Sequence, residues 1–281
     1  MKSLKRNYEL ALAALEELTG ELVLKNIKED VAERPQPQLA PAPLEQILEE
    51  FGILPSASLF LGAAYDGLPI LLNLNDPSPG PILVAGDQGS GKTAFLQVIA
   101  QAISMTHSPV DLQFGVITDH PDEWKGFEEL KNCMGIFPTY HNDADNFILS
   151  LADWAHNNRR EKRFALLMID NLETVLDMDE EVQQNLRWLL LRGPNRRVWP
   201  LVTLNAGRSE KVLPWLDAFR TRLFGAVKNA RDVEAIVPTR DAALHLLEPG
   251  LEFILNENRQ WVKFWIPSIS PTKPPPQAGE A

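Results

Sequence analysis

Apolar residues along the chain form short runs that alternate with segments of helical periodicity. Apolar runs of strand length occupy residues 81–86, 112–118, 163–170 and 199–205. Segments with the apolar spacing of an α-helix lie between them, at residues 92–105, 143–158 and 179–192. Strands that alternate with helices are typical of a parallel sheet with crossover helices. The pattern therefore predicts an α/β fold with a mainly parallel central sheet flanked by helices.

The first part of the chain has a different pattern. Residues 4–31 carry one apolar stripe at spacings of three and four, which predicts a helix. Four prolines follow within residues 33–43 and predict an extended linker, because proline lacks the N–H that a helix interior needs. Residues 44–52 place their apolar side chains on one side and predict a short helix. Residues 1–57 are therefore expected to form a helical N-terminal appendage.

The last part of the chain predicts a hairpin and a tail. Two apolar runs at residues 251–256 and 260–266 flank a turn, which is the pattern of an antiparallel pair. Residues 268–281 are rich in proline and predict a disordered tail. The main domain is therefore expected over residues 58–267.

Composition narrows the class of protein. The 281 residues suit one large domain with small additions, and a hydrophobic content of 44% excludes a mainly disordered chain. The single cysteine, Cys133, excludes a disulfide scaffold and a Cys-rich zinc site. Because no apolar run approaches the roughly 18 residues of a membrane span, no span is expected. Acidic residues interrupt the apolar N-terminal stretch, so a cytoplasmic protein without a signal peptide is expected.

Charge is distributed unevenly along the chain. The formal net charge is -11, which argues against a uniformly basic nucleic-acid binder. Residues 159–231, however, hold 14 basic and 9 acidic residues. This stretch is either a solvated surface with scattered ion pairs or a face that meets phosphate, on a nucleotide or on nucleic acid. Any nucleic-acid contact is therefore expected to be local.

One glycine-rich stretch matches the phosphate-loop pattern G-x-x-x-x-G-K-[ST] at all eight positions. The stretch comprises Gly86, Asp87, Gln88, Gly89, Ser90, Gly91, Lys92 and Thr93, and Ala94 continues into the predicted helix. Glycines let successive N–H groups point at phosphate oxygens, and the helix adds its positive end. Lys92 is expected to reach the β- and γ-phosphates of ATP, and the Thr93 hydroxyl to bind Mg²⁺. The alternative is a glycine-rich turn without a ligand.

A second group of candidates follows the apolar run 164–170. Asp170 ends this run, at the position where P-loop proteins hold Mg²⁺ through water. The next residue, Asn171, stands where an acidic residue often orients the attacking water, and an amide does not accept the proton of water at neutral pH. Glu173 can substitute if the loop bends suitably. The alternatives are a helix N-cap for Asp170 and an exposed helix residue for Glu173.

Four segments resemble, in the same order, the motor domain of the FtsK/HerA family of P-loop ATPases: residues 59–93, 108–130, 165–176 and 198–227. Residues 250–266 resemble the closing hairpin of that family, so the resemblance covers residues 58–267. It implies a RecA-like P-loop core, catalytic use of Lys92 and Asp170, and ATP with Mg²⁺ as ligands. It also implies a hexameric ring that moves double-stranded DNA.

The resemblance carries two further residues over. Asn205 stands near the end of its strand, where the family usually has a glutamine that senses the γ-phosphate. Arg222 matches the arginine of a short Thr-Arg segment and is expected near a subunit interface, as a finger that acts on the nucleotide of a neighbour. The alternatives are a surface arginine that caps a strand, and Arg220 in the finger role.

The chain departs from the family at three places. Asn171 replaces the usual acidic residue, His120 and Pro121 after Asp119 lack a basic residue, and Glu234 stands where arginine is usual. These departures keep two other functions open. One is a slow-hydrolysing, nucleotide-dependent switch or scaffold, and the other is a motor of the secretion-system type. In each case the N-terminal helix either docks a protein partner or packs on its own domain.

Overall fold

A computed structural model describes residues 41–158, 162–237, 243–257 and 260–269. The predicted helix at residues 4–31, most of the predicted linker and nearly all of the predicted tail lie outside the described residues. In the described part, no helix is both long enough and apolar enough to cross a bilayer.

The described helices and strands follow the alternation of the sequence. The α-helices are α1 (Leu44–Phe51), α2 (Lys92–Thr106), α3 (Asn142–Asn157), α4 (Glu180–Arg192), α5 (Leu213–Leu216) and α6 (Ala230–Ile236). The strands are β1 (Ser58–Ala64), β2 (Pro69–Asn73), β3 (Ile82–Gly86), β4 (Leu112–Thr118), β5 (Cys133–Pro138), β6 (Phe164–Asp170), β7 (Val198–Asn205), β8 (Thr221–Phe224), β9 (Glu252–Glu257) and β10 (Gln260–Trp265). Short 3₁₀ turns occupy Pro121–Trp124, Leu172–Asp177, Pro194–Arg196, Ala206–Val212 and Leu244–Leu246.

All the strands of the described part belong to one sheet, in the order β2-β1-β10-β9-β8-β3-β7-β6-β4-β5. The six strands from β8 to β5 pair in parallel, and the four from β2 to β9 pair antiparallel. The mainly parallel α/β fold predicted from the sequence is therefore confirmed. The parallel strands β3, β7 and β6 lie side by side, so their carboxyl ends meet at one edge of the sheet.

Both faces of the parallel strands are buried, and successive residues alternate between two hydrophobic cores. In β6, Leu167 and Ile169 pack with α3 and α4 on one face, whereas Leu166 and Met168 pack with α2 on the other. A strand buried on both sides reads as a continuous apolar run. This explains why the run at residues 163–170 gave the bounds of β6 to within one residue.

The structure places α1 with the main core, although the sequence assigned residues 44–57 to the appendage. Leu44, Ile47 and Leu48 of α1 are buried in the same core as β1 and α2. Pro43 pairs with Ser268 in an isolated parallel bridge, and the N–H of Leu44 donates to the carbonyl of Ser268. The compact unit therefore begins at Pro41. The apolar face of a single short helix shows burial but not which body buries it.

Candidate nucleotide-binding site

The candidate site residues meet at the carboxyl edge of the parallel strands. Gly86 at the end of β3 pairs with Asn205 at the end of β7. Asp170 ends β6, the strand on the other side of β7. The parallel register therefore brings together three predicted site residues that are more than 30 positions apart in the sequence.

The phosphate loop takes the backbone shape that its glycines allow. Gly89 and Gly91 have φ values of +78° and +90°, in the left-handed region that favours glycine. A Cβ at Gly91 would lie 2.4 Å from the Cα of Gly250, and one at Gly86 would lie 2.4 Å from Oγ of Ser90. Within the described residues, the Oγ of Ser90 is buried and has no hydrogen-bond partner. This cradle of backbone and hydroxyl fits the phosphates of a nucleotide.

Lys92 lies at the start of α2 with its side chain folded onto the loop. It is buried, and its Nζ donates to the carbonyl oxygens of Gly86 at 3.1 Å and Asp87 at 2.7 Å. Burial lowers the pKa of Lys92, and the nearby carboxylates of Asp170 and Glu173 oppose that shift. The ammonium group therefore sits between the loop and the acidic residues at the end of β6.

Asp170 is held by two threonine hydroxyls. Thr93 donates to Oδ2 of Asp170 at 2.9 Å, and the buried Thr203 of β7 donates to its Oδ1 at 2.9 Å. Burial raises the pKa of Asp170, and both hydrogen bonds oppose that rise. A hydroxyl beside a carboxylate next to a phosphate loop fits Mg²⁺. This ion binds few protein ligands, and phosphate oxygens and water supply its other ligands.

Asn171 adopts an unusual backbone conformation directly after Asp170. Its φ is +86°, and its N–H donates to Oγ1 of Thr203 at 2.8 Å. Its side-chain Nδ2 donates to Oδ1 of Asp119, which follows β4, at 2.9 Å. Its carbonyl accepts from Oγ1 of Thr174 at 2.8 Å. Asn171 thus connects the ends of β4, β6 and β7.

Glu173 is the buried acidic residue of the turn after Asn171. Only 8% of its side chain is exposed, and its Oε1 lies 3.6 Å from a guanidinium nitrogen of Arg208. Its Oε2 is buried and has no hydrogen-bond partner in the described part of the chain. Burial raises the pKa of Glu173, and the charges of Arg208 and Lys92 oppose the rise. Glu173 is therefore not an exposed helix residue, and its role as a substitute for the acidic residue stays a prediction.

Asn205 and Arg222 have well-defined contacts within the chain. The Oδ1 of Asn205 accepts from the N–H of Gly207 at 3.3 Å and caps the turn that carries Arg208. The guanidinium of Arg222 donates to three main-chain carbonyls, of Phe219, Ile236 and Leu216. These contacts do not favour the predicted action of Arg222 on a neighbouring subunit, because the guanidinium ties β8 to α5 and α6.

Arg220 lies next to the start of β8, which is the end of the strand away from the phosphate loop. It is exposed and directly precedes the strand start, where Thr221 pairs with Ile82 at the beginning of β3. Arg220 therefore does not reach the nucleotide site of its own chain.

Two residues of the site were missed by sequence reasoning. Thr203 is polar within the apolar run of β7, and that interruption was the available signal. Arg208 comes three positions after Asn205, and no local pattern marks it as the partner of Glu173. Its role depends on the parallel placement of β6 beside β7, because that placement brings the two following turns together.

In fold, the chain is similar to solved P-loop ATPases of the FtsK/HerA type. The cytoplasmic domain of the type VII secretion ATPase EccC of Thermomonospora curvata matches with a TM-score of 0.64 at 17% identity, over 82% of this chain and 32% of EccC. The pCW3 conjugation coupling protein TcpA, solved with ATPγS, matches at 0.58 and 16%, over 75% and 66% of the two chains.

A third match shows that the matched proteins differ in function. The DNA-packaging ATPase B204 of Sulfolobus turreted icosahedral virus matches at 0.50 and 11% identity, over 66% of this chain and 97% of B204. The chain spans less than half of the length of three matched secretion ATPase structures, namely 32%, 44% and 49%. No protein-family model and no curated protein matches the sequence. At these identities the likeness shows the fold.

Proposed function

We propose that the chain binds ATP with Mg²⁺ and hydrolyses it as the motor domain of a translocase that acts on double-stranded DNA. The observation that carries the ATPase part is the phosphate loop at the end of β3, where Lys92 donates to the loop carbonyl of Asp87 and Thr93 donates to Asp170 at the end of β6. The phosphate loop N–H groups and Lys92 would bind the β- and γ-phosphates. Thr93 and Asp170 would hold Mg²⁺, which neutralises the charge that develops on phosphate oxygens.

Glu173 is the residue that we assign to the attacking water. Its buried carboxylate has one oxygen without a hydrogen-bond partner in the described residues, and Lys92 is near enough to influence its pKa. In the proposed step, the water oxygen bonds to the γ-phosphorus, the bond to the bridging oxygen of ADP breaks, and the water proton passes to Glu173. Asn171 does not take this role, because an amide does not accept the proton of water at neutral pH and its Nδ2 is directed at Asp119.

The charge at the two edges of the parallel sheet supports nucleic acid as the substrate. The two residues before each of the six parallel strands include one acidic residue, Asp111, and six basic ones: Lys131, Lys162, Arg163, Arg196, Arg197 and Arg220. At the opposite edge, the two residues after each strand include Asp87 and Asp119 and no lysine or arginine. A basic edge on an acidic protein gives a local contact for phosphate, as nucleic-acid binding requires.

The basic edge can be tested by salt-dependent binding. Lys162→Gln with Arg196→Gln removes two exposed cations, and the slope of log affinity for duplex DNA against log salt should fall by about 0.9 for each lost phosphate contact. Lys125→Gln is the control, because Lys125 is exposed but pairs with Asp122. An unchanged slope in the double variant would reject this edge as the DNA contact.

A hexameric ring is the assembly that the proposal requires. One modest basic edge per subunit would then sum to a strongly positive surface. Mass measurement of the full chain with ATP tests this assembly, and a monomer at all concentrations would remove the ring from the proposal.

A second candidate function is a slow-hydrolysing switch or scaffold, and Asn171 is the observation that favours it. ATP turnover with and without duplex DNA separates the two. We expect a DNA-stimulated rate on the order of 1 per second or faster for a motor. Turnover without stimulation, below about one per minute, would favour the switch. A motor of the secretion type would instead be stimulated by a protein substrate.

A further inference from the structure

The charge of Asp119 and the amide of Asn171 form a matched pair across two strand ends. Asp119 follows β4, and its side chain is 33% exposed. Its Oδ1 accepts from Nδ2 of Asn171 at 2.9 Å, and its Oδ2 lies 3.7 Å from the ring of the exposed His120. The shorter contact is therefore the one with Asn171.

This contact explains why the acidic residue that is usual after Asp170 would not fit here. A carboxylate at position 171 would face Asp119 at hydrogen-bond distance, and two like charges at that separation repel each other strongly in a partly buried site. Burial is the main cause of the raised pKa of Asp170 and of Glu173, and the charge of Asp119 acts in the same direction on both. The neutral amide of Asn171 instead turns this repulsion into a hydrogen bond.

The pair also controls the turn that carries Glu173. Asn171 has a φ of +86°, a value that is uncommon for residues other than glycine and that asparagine adopts more readily than most. Its carbonyl accepts from both the N–H and the Oγ1 of Thr174, which lies within the turn Leu172–Asp177. The side-chain contact with Asp119 thus fixes the residue from which the Glu173 turn departs.

We infer that Asp119 is a positioning residue, which acts through Asn171 to place Glu173 for hydrolysis. This inference rests on the proposed function, since Glu173 is the residue assigned to the attacking water. Among the described residues, the side chain of Asp119 contacts Asn171 and His120 and not the phosphate loop. Loss of the pair should therefore lower kcat for ATP and leave nucleotide affinity within twofold.

The test exchanges the two groups. Asn171→Asp alone puts two carboxylates together, Asp119→Asn alone removes the charge, and the double exchange restores one carboxylate and one amide in reversed order. We expect Asn171→Asp to lower kcat. We expect the kcat of the double exchange to be at least about tenfold higher than the value obtained by multiplying the two single effects. Asp122→Asn, on the same loop but paired with Lys125 at the surface, is the matched control and should leave kcat unchanged.

Two readouts separate this inference from the proposed function. A double-mutant cycle on urea unfolding without nucleotide measures the pair itself, and kcat measures its role. Additive effects in both cycles, or an Asp119→Ala variant that loses the pair and shifts only the unfolding midpoint, would overturn the inference. If the parent shows no turnover, the proposed function fails, and the unfolding cycle then decides the pairing alone: coupling supports it and additivity overturns it.

Discussion

The hydroxyl of Thr203 is the most informative single group to remove, because it joins two parts of the site. The residue is buried with 0% exposure. Its Oγ1 donates to Asp170 and accepts from the N–H of Asn171. Thr203→Val keeps the shape of the side chain and deletes both hydrogen bonds. A buried carboxylate oxygen and a backbone N–H then lose their partners.

The size of the effect follows from these two bonds. A hydrogen bond to a charged group contributes about 1.5–3 kcal/mol, and a neutral one about 0.5–1.5 kcal/mol. We therefore expect Thr203→Val to lower the free energy of unfolding by about 2–4 kcal/mol. Thr203→Ser is the control, because it keeps the hydroxyl and loses one methyl group, which costs about 1 kcal/mol.

The effect should also depend on pH. The Thr203 hydrogen bond lowers the pKa of Asp170, so its loss raises that pKa further above the ordinary value of 3.8. A carboxyl group whose pKa is raised in the folded state destabilises the protein when the pH is above that pKa. The destabilisation is absent when the pH is below the pKa of the group in the unfolded state. The defect of Thr203→Val should thus be largest at neutral pH and shrink as the pH falls through the pKa of the folded state. Urea unfolding at several pH values measures it, and equal losses for valine and serine would refute the reasoning.

Three other substitutions give distinct expectations. Because burial raises the pKa of Glu173, Glu173→Gln should stabilise the fold at neutral pH. Urea unfolding should show that this gain in stability vanishes at pH values below 4.5, the ordinary pKa of a glutamate. Arg222→Lys should lose most of the stability that Arg222→Ala loses, because one ammonium cannot reach three carbonyls; a fully stable lysine variant would contradict the assigned contacts. Gly91→Ala should weaken ATP binding in calorimetry more than Gly89→Ala, because only the first Cβ meets backbone, and equal losses would argue against that packing.

The parallel part of the fold was readable from the sequence because its strands are buried on both faces. The runs at residues 81–86, 112–118, 163–170 and 199–205 agree with β3, β4, β6 and β7 to within one residue. The strand β5 was not predicted, because all its residues are half-buried and it contains Gly135 and Pro138. In this edge strand Gly135 interrupts the apolar residues, and no alternation of apolar and polar residues takes their place.

The candidate site was predictable only where chemistry is local in the sequence. Consecutive residues make the phosphate loop, so its pattern identified it. The partners of Asp170 and Glu173 come from β7 and the turn after it, and only the strand order brings them there. Arg222 shows the opposite case: a local match suggested a partner in another subunit, while the fold supplies three carbonyls nearby.

The most direct test of the account compares ATP binding and ATP turnover in three forms of the full chain. The account predicts that the parent binds and hydrolyses ATP in a Mg²⁺-dependent manner, and that Lys92→Ala does neither. Glu173→Gln should keep binding and lose turnover by about 10²–10⁴-fold, the range for a proton-accepting group. A Glu173→Gln variant that hydrolyses ATP at the rate of the parent would contradict the central claim.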